Sequence, residues 1–276
     1  MTVVGLLNPG AMGASIGAAA LTNVDEVLWT SEGRSDATRI RAEKAGLTDA
    51  SSFAGLVNDS ELILSVCPPA SALLLASQVF SHGFKGTYVD CNAIAPEQTR
   101  AIAELASHKG ARLVDGGIIG GPAWRATAGT RLWLSGPDIS EVAALFERSP
   151  LLIGVAGCDI GAASALKMCF AAFTKGSTAL LAAVLAVADK EGVGDVLAEQ
   201  WGEAFTHKTK QQVSTNSAKA WRFAGEMEQI AATFDSAGLP GGFHEAAAEV
   251  FYRLSDFKDW QSEPAFEDLL QALQLK

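Results

Sequence analysis

Hydrophobic residues form short runs in the first half of the chain and longer periodic stretches in the second half. Brief runs rich in Val, Ile and Leu predict β-strands at 3–7, 26–29, 61–66, 87–90 and 112–115. Helical patterns between them predict helices at 11–21, 35–45, 70–80 and 96–108. Nearly continuous apolar strands separated by helices indicate a parallel sheet covered on both faces.

The pattern changes after residue 157. A strand at 131–135, a helix at 139–148 and a strand at 151–155 extend the first pattern, whereas 159–191 is apolar around most of a helical circumference. Further helices are predicted at 193–212, 214–234, 243–254 and 264–274. We therefore predict an α/β fold: a Rossmann-type doubly wound parallel sheet in residues 1–157, followed by an all-helical domain in 158–276.

Charge and composition narrow the function classes. The formal net charge of −10 disfavours binding to nucleic acid or to an anionic membrane surface. The four cysteines form no CxxC pair and the four histidines form no HExxH motif, so no metal site is expected. The cysteines are expected to be buried free thiols in a reducing compartment. The most apolar later stretch, 179–188, is too short to span a bilayer, and the apolar N-terminus lacks the basic segment of a signal peptide. These features predict a soluble cytoplasmic protein.

A glycine-rich turn follows the first predicted strand. Gly10 allows the backbone to approach a pyrophosphate and Gly13 allows the next helix to pack on the strand, while the helix N-terminus offers free N–H groups. Asn8 replaces the first glycine of the G-x-G-x-x-G pattern, and Asn tolerates unusual backbone angles. The predicted dinucleotide-binding turn consists of Asn8, Pro9, Gly10, Ala11, Met12 and Gly13.

The end of the second strand bears on which nicotinamide cofactor is bound. NAD requires a carboxylate there for the ribose, whereas the 2′-phosphate of NADP requires arginine and hydroxyl donors. Ser31, Arg34 and Ser35 are candidates for such a phosphate pocket, with Arg39 one turn further, and Glu32 is the contrary signal. We favour NADP, with NAD as the alternative.

Several motifs together resemble the β-hydroxyacid dehydrogenase superfamily, which includes 3-hydroxyisobutyrate and 6-phosphogluconate dehydrogenases. The segments similar to its signatures are GAMG at 10–13, SVCPP at 65–69, DCNAIAP at 90–96, DGGIIGGP at 115–122, AGT at 128–130 and GAASALK at 161–167. The segments at 221–228 and 238–244 resemble a helical C-terminal domain of poorly characterised members.

The resemblance implies roles for further residues. It implies cofactor contacts from Val66, Cys67, Pro68 and Asn92, substrate-loop contacts from Ile119, Gly120 and Gly121, and a catalytic role for Lys167. The chain departs from the family pattern twice. Ala171 stands where relatives generally carry Asn, and Ile119 stands where they carry Ser, so the substrate is predicted to differ from 3-hydroxyisobutyrate and 6-phosphogluconate.

Lys167 is suited to proton transfer because an apolar, helix-lined cleft lowers the pKa of a lysine toward neutrality. Phe170 and Ala171 follow it closely, and Thr174 falls on nearly the same helical face as Lys167, where it would bind substrate oxygens. The alternative is that Lys167 extends to the surface or closes an ion pair. Lys175 points to a different face and is interpreted as a surface or interface charge.

Three polar residues of the helical domain are further substrate-binding candidates: Arg222, Glu226 and His244. The alternative is that Arg222 and Glu226, four residues apart, pair with each other on a helix surface. The long apolar helix has more apolar surface than two short domains would cover, and this predicts a homodimer.

Three functions remain open. The first is an NADP-dependent oxidoreductase that interconverts a hydroxy compound and its carbonyl, with Lys167 as general acid/base. The second is an NADPH-dependent imine reductase, and the third is a non-catalytic NADP-binding sensor.

Overall fold

The computed structural model describes residues 2–258 and 264–274. Its contacts divide the chain into two compact units, Met1–Lys167 and Met168–Lys276. The boundary predicted after residue 157 falls at the end of the last strand, whereas the division by contacts falls ten residues later, inside a long helix.

A mostly parallel sheet forms the centre of the first unit. Its strands, within the described residues, are Val3–Leu7 (β1), Glu26–Trp29 (β2), Thr48–Asp49 (β3), Leu62–Ser65 (β4), Thr87–Asp90 (β5), Arg112–Ile119 (β6), Arg131–Ser135 (β7) and Leu152–Gly157 (β8). Their order across the sheet is β3-β2-β1-β4-β5-β6-β7-β8. The order reverses at β1 because the chain leaves β1 toward one edge and later returns to its other side at β4, as in a doubly wound fold.

Helices cover both faces of this sheet. They are Ala11–Ala20 (α1), Asp36–Lys44 (α2), Phe53–Asp59 (α3), Ala72–Ser81 (α4), Pro96–His108 (α5) and Ser140–Leu145 (α6). Along β1, Leu6 is buried in one apolar cluster with Ile16, and Leu7 is buried in a separate cluster with Tyr88. Because successive side chains of a strand point to opposite faces, both faces of the sheet are packed, which confirms the predicted doubly wound fold.

Two local features differ from the sequence-based predictions. β3 and α3 were not predicted, since a two-residue strand and a seven-residue helix are too short to show a hydrophobic period. β7 runs antiparallel to β6, with Ile119 opposite Arg131. The connection at 120–130 holds only a 3₁₀ turn, and a parallel crossover needs a longer connection that is usually a helix.

The second unit is helical. Its helices are the continuation of Ala162–Lys190 (α7), then Gly194–Trp201 (α8), Glu203–Ser217 (α9), Ala220–Ser236 (α10), Gly242–Arg253 (α11) and Phe266–Gln274 (α12). The single helix predicted over 193–212 is wrong, because Gly202 has a φ of 81° and ends α8 there. The predicted break near 213 is also wrong, since α9 continues to Ser217.

α7 is the longest helix in the described part of the chain, with 29 residues. By length and composition it is the one described helix that could cross a membrane, and 39% of its most apolar window is buried inside the structure. Residues 179–188 alone are too short to span a bilayer, but the complete 29-residue helix is long enough. Core helices of soluble proteins pass the same test, so this property is weak evidence for a membrane.

Candidate active site

The glycine-rich turn has the backbone geometry of a phosphate-binding turn. Asn8 adopts a left-handed conformation with a φ of 63°, and the N–H of Gly10 donates to its carbonyl over 2.7 Å. A Cβ on Gly13 would lie 2.6 Å from that carbonyl oxygen, whereas a Cβ on Gly10 would meet nothing within 4 Å. The start of α1 has no side-chain cap, so its first-turn N–H groups remain available to an anion. Pro9 is buried, Met12 is half-buried and Ala11 is exposed at this end.

Arginine side chains gather around the end of β2. The Arg34 guanidinium donates to the Asn8 Oδ1 over 3.2 Å, and that of Arg39 donates to the Ser31 carbonyl over 3.0 Å. Arg41, which sequence reasoning missed, contacts the Pro9 carbonyl over 3.4 Å. None of these three arginines forms an ion pair with a described residue. The cluster therefore presents positive charge beside the turn.

Glu32 and Ser35, the other two residues considered for the cofactor at this strand end, form local contacts. Glu32 accepts a hydrogen bond from the Phe53 N–H over 3.1 Å, at the start of α3. The carboxylate that argued for NAD is thus held by a neighbouring helix. Ser35 precedes α2 and its hydroxyl lies 3.2 Å from that of Thr38.

A buried polar network joins the ends of β4 and β5. The Asn92 amide accepts from the Cys67 N–H over 2.6 Å and donates to Ser65 and Asp90, each over 3.0 Å. Asn92 is 3% exposed, so its amide is used inside the protein and shapes the 66–68 loop. In that loop Val66 and Cys67 are half-buried and Pro68 is exposed.

Burial shifts the titration of two groups in this network. Burial raises the pKa of Asp90 to about 7, against the hydrogen bonds from Asn92 that lower it. Burial, followed by the nearby Asp90 charge, raises the pKa of the Cys67 thiol to about 12. A thiol with that pKa stays protonated at neutral pH and is a poor nucleophile.

Lys167 is placed against the end of β6 by close helix packing. A Cβ on Gly117 would lie 2.6 Å from the Ala163 carbonyl oxygen and 3.2 Å from the Lys167 Cβ, so glycine is required for this approach. The Lys167 ammonium donates to the Ile118 carbonyl over 2.7 Å. The lysine is half-buried, and its amine is directed to the strand end rather than extended into solvent.

The substrate-loop residues follow directly on this strand. Ile119 ends β6 and is half-buried. Gly120 has a φ of 128°, and a Cβ there would lie 2.8 Å from Thr130. Gly121 has open space around its missing Cβ, while its carbonyl accepts from the Thr130 hydroxyl over 2.6 Å. All cofactor candidates, these loop residues and Lys167 belong to the first unit.

The remaining candidates belong to the helical unit. Ala171 is 1% exposed, whereas Phe170 is 46% exposed. Thr174 is half-buried and its hydroxyl donates to the Phe170 carbonyl over 3.1 Å. The position at which the resemblance leads us to expect Asn is therefore buried.

A buried ion pair engages two helices of this unit. The ammonium of Lys175 on α7 is in close contact with the carboxylate of Glu226 on α10, and Arg222 lies 3.5 Å from the same carboxylate. The Lys175 side chain is 14% exposed and pairs with Glu226, so it is not a solvent-exposed surface charge, and the alternative of an interface charge stays a prediction. Burial lowers the pKa of Lys175, against the attraction of Glu226.

His244 lies inside the same unit. It is 5% exposed, and its ring centroid is 4.3 Å from that of Phe234. Its Nδ1 has no hydrogen-bond partner among the described residues. Burial lowers the pKa of His244, so the ring is neutral at neutral pH.

The described residues hold no group of three or more His, Cys, Asp or Glu side chains arranged for a metal. The described cysteines are all free. Cys91 is buried, but Cys158 and Cys169 are exposed, so the expectation of uniformly buried thiols is wrong for these two.

Two protein families match the chain. The family described as the NAD binding domain of 6-phosphogluconate dehydrogenase matches residues 1–158. A domain of unknown function, DUF1932, matches residues 188–254. The first match covers the sheet and its helices, and the second falls within the helical unit.

Individual proteins are similar over most of the chain. An uncharacterized 28.5 kDa protein in the 7S RNA 5′ region of Methanothermus fervidus is 32% identical, over 68% of this chain and 73% of its own. A conserved protein of unknown function, whose structure is described as similar to 3-hydroxyacid dehydrogenases, is 28% identical with a TM-score of 0.67, over 92% of this chain and 97% of its own.

Two enzymes share the fold at lower identity. The 3-hydroxyisobutyrate dehydrogenase of Mycobacterium tuberculosis is 18% identical with a TM-score of 0.69, over 100% of both chains. An imine reductase of Streptomyces aurantiacus is 18% identical with a TM-score of 0.55, over 99% of this chain and 100% of its own. At these identities the likeness concerns the fold alone.

Proposed function

Because the chain belongs to the family with the NAD binding domain of 6-phosphogluconate dehydrogenase, we propose that it is an NADP-dependent oxidoreductase of the β-hydroxyacid dehydrogenase type. It interconverts a hydroxy compound, such as a hydroxy acid or its derivative, and the corresponding carbonyl compound. Lys167 is its general acid/base. The observation that carries the proposal is the placement of the Lys167 amine at the end of β6, in the same unit as the glycine-rich turn.

The residues of the first unit fit a nicotinamide dinucleotide. The open side of Gly10 and the uncapped start of α1 suit a pyrophosphate. Arg34, with Arg39 and Arg41 beside it, suits a 2′-phosphate, and one oxygen of Glu32 already accepts from the start of α3. When bound, the nicotinamide supplies hydride transfer to or from the substrate carbon.

The role of Lys167 is to give or take one proton. In reduction of a carbonyl, its ammonium donates a proton to the substrate oxygen, and in oxidation its amine accepts the hydroxyl proton. The Lys167 ammonium donates a hydrogen bond to the Ile118 carbonyl, and this contact holds it at the end of β6, where a substrate oxygen would meet it. Asn92 shapes the adjoining loop, and the N–H groups of Gly120 and Gly121 are further donors to a substrate oxygen.

The test is turnover of a panel of 2- and 3-hydroxy acids and their carbonyl counterparts with NADP or NADPH. We expect Lys167→Met to lower kcat by about 10²–10⁴-fold with the affinity for NADPH unchanged, because only proton transfer is removed. Lys44→Met, at the exposed end of α2, is the matched control and keeps full activity. Full activity of Lys167→Met would refute the assignment.

Reduction of a C=N bond is the second candidate function. The chain lacks the Asn and the Ser that relatives generally carry for a hydroxy-carboxylate, with Ala171 and Ile119 in their places. The same panel extended to cyclic imines discriminates the two functions. Imine reduction that survives Lys167→Met would favour the imine reductase, and tight NADPH binding without any turnover would favour a non-catalytic sensor.

The role of the helical unit in substrate binding stays a prediction. Arg222, Glu226 and His244 remain candidates, although Glu226 is already paired with Lys175 and Arg222. Thr174 and Phe170 are the other candidates from this unit. Alanine at each position that left KM and kcat unchanged would exclude that residue from the substrate site.

We also propose that the protein is a cytoplasmic homodimer. Exposed apolar residues on α7 recur at intervals of three or seven, which places them along one side of the helix: Phe170, Phe173, Leu180 and Val187. Such a stripe is the seam of a helix pair, and a second copy of the chain would cover it. The location follows from the free cysteines and the metabolic family, and cell fractionation tests it.

A further inference from the structure

Asp115 is a completely buried carboxylate in the middle of the sheet. It lies in β6, between Asp90 on β5 and Ser135 on β7, and has no exposed surface. A buried carboxylate is costly unless hydrogen bonds satisfy it. Neither the turn that fits a dinucleotide nor the arginine cluster uses this residue.

Its oxygens bind the start of α7. Three backbone N–H groups, those of Gly161, Ala163 and Ser164, donate to one carboxylate oxygen over 2.9–3.1 Å. The Ser164 hydroxyl donates to the other oxygen over 2.6 Å, and the Ser135 hydroxyl donates to the first over 2.8 Å. These N–H groups are among those that a helix start leaves without an internal partner. Asp115 therefore caps α7 from a different element, and it precedes Ser164 by 49 residues in the sequence.

Lys167 lies one helical turn beyond this cap. Ala163, whose N–H binds Asp115, is four residues before Lys167, so both lie on the same face of α7. Gly117, two residues after Asp115 on β6, meets the Ala163 carbonyl and the Lys167 Cβ at distances that exclude a side chain. The carboxylate and the glycine together set the distance between β6 and this turn, and the Lys167 amine then reaches the Ile118 carbonyl.

A second connection steadies the same turn. The Ser164 hydroxyl is 2.8 Å from the hydroxyl of Thr99, on α5. Ser164 thus links Asp115 to a neighbouring helix of the sheet unit. The start of α7 is therefore held from two sides, by β6 and by α5.

We propose that Asp115 is a positioning residue for Lys167: its carboxylate holds the first turn of α7 on β6, so that the lysine amine stays at the Ile118 carbonyl. The catalytic consequence rests on the proposed role of Lys167, whereas the placement of the amine does not. A displacement of about 1 Å in such a group can lower turnover by about 10²-fold.

The experiment measures the reactivity of the Lys167 amine itself. Trace acetic anhydride acetylates the full-length protein between pH 6 and 11, and peptide mass spectrometry gives the rate at Lys167 relative to exposed Lys85. The variants are Asp115→Ala and Asp115→Asn. The matched control is Asp90→Ala, which removes a buried carboxylate at the neighbouring position of β5 whose hydrogen bonds go to Asn92.

Asp115→Ala is expected to change the Lys167 rate by about tenfold at a given pH, because the amine is released from its position, with Lys85 unchanged. Asp115→Asn is expected to stay near the wild type. Its amide oxygen accepts from the three N–H groups, and its nitrogen donates to the Ser164 hydroxyl. Asp90→Ala is expected to leave the Lys167 rate unchanged.

An unchanged Lys167 rate in folded Asp115→Ala would overturn the proposal, as would an equal change in Asp90→Ala, which would indicate general loosening. If Asp115→Ala does not fold, the acetylation rate of Lys167 is measured in Ser164→Ala and Gly117→Ala instead. Ser164→Ala removes a hydrogen-bond donor to Asp115, and Gly117→Ala separates α7 from β6. If Asp115→Ala changes the acetylation rate of Lys167 but Lys167→Met does not change turnover, Asp115 positions the lysine and the proposed function is refuted. If Lys167→Met is inactive but Asp115→Ala leaves the acetylation rate of Lys167 unchanged, the proposed function is retained and the positioning role is refuted.

Discussion

At the scale of single residues, two buried carboxylates on adjacent strands serve different parts of the molecule. Asp115 binds the start of α7, and Asp90 binds the Asn92 backbone and amide and thereby the 66–68 loop. Neither contact was predicted from the sequence. Each carboxylate ends a predicted strand and opens a family-like motif, but neither signal indicates its partners. The backbone N–H groups that bind Asp115 lie 46 to 49 residues away along the chain.

The titration of Asp90 predicts a pH-dependent stability. Burial raises its folded-state pKa to about 7 from 3.8, so the folded protein retains a proton that the unfolded chain releases between these values. The free energy of unfolding therefore falls as pH rises from about 4 to 7, by up to about 1.4 kcal/mol per pH unit from this group, and the contribution is constant above pH 8. Urea unfolding at pH 5, 6, 7 and 8 measures it.

Asp90→Asn is the comparison for that measurement. The substitution removes the titrating group, so the difference in unfolding free energy between wild type and variant should decrease from pH 5 to 7 and then level off. Parallel pH profiles for the two proteins would contradict the shifted pKa of Asp90.

Substitutions of the two glycines in the turn are predicted to have different effects on stability and on cofactor binding. Gly13→Ala places a methyl group 2.6 Å from the Asn8 carbonyl oxygen, so it should lower both Tm and NADPH affinity. Gly10→Ala meets no protein atom within 4 Å and should keep Tm while it weakens NADPH binding, because the methyl group enters the space for the pyrophosphate. Thermal unfolding and fluorescence titration of both variants test this. Equal losses of Tm would contradict it.

At the scale of elements, local pattern was sufficient for most strands and helices but not for their pairing. The alternation of apolar runs predicted the sheet of the first unit, and the glycine-rich turn and Lys167 followed from motifs. The antiparallel β7, the capping of α3 by Glu32 and the approach of Arg41 to the turn were not predictable, because each depends on a contact between distant segments. The break between α8 and α9 had a local signal, Gly202, which the apolar periodicity obscured.

Position 202 is predicted to require glycine because of its backbone conformation, not because of close packing. Its φ of 81° and ψ of 153° lie in a region that is essentially restricted to glycine, and no atom lies within 4 Å of the position of a Cβ. Gly202→Ala should therefore lower the free energy of unfolding by about 1–3 kcal/mol. Gly194→Ala, in helical conformation at the start of α8, should stabilise slightly. Urea denaturation compares them, and equal effects would contradict the conformational explanation.

At the scale of the whole molecule, the two units carry different chemistry. The first holds the groups that fit a dinucleotide and Lys167, the proposed general acid/base. The second holds the Lys175–Glu226 ion pair and an exposed apolar stripe on α7. Large exposed apolar patches generally mark contact surfaces. The stripe is the feature on which the proposed dimer depends.

The proposed dimer predicts the effect of one charge on that stripe. Phe173 is 77% exposed, so Phe173→Glu should leave the fold of the chain intact and shift the mass from dimer to monomer in light scattering at micromolar concentration. Glu199→Lys, at an exposed site on α8, is the control and should remain dimeric. A monomeric wild type would contradict the dimer.

The most direct test of the account as a whole is titration of NADPH and NADH into the wild type and Arg34→Ala. The account predicts tighter binding of NADPH, and a loss of about 1.5–3 kcal/mol, tenfold or more, for NADPH alone when the Arg34 contact is removed. NADH binding that equals or exceeds that of NADPH and is unaffected by Arg34→Ala would contradict the NADP assignment. Binding of neither nucleotide would contradict the oxidoreductase itself.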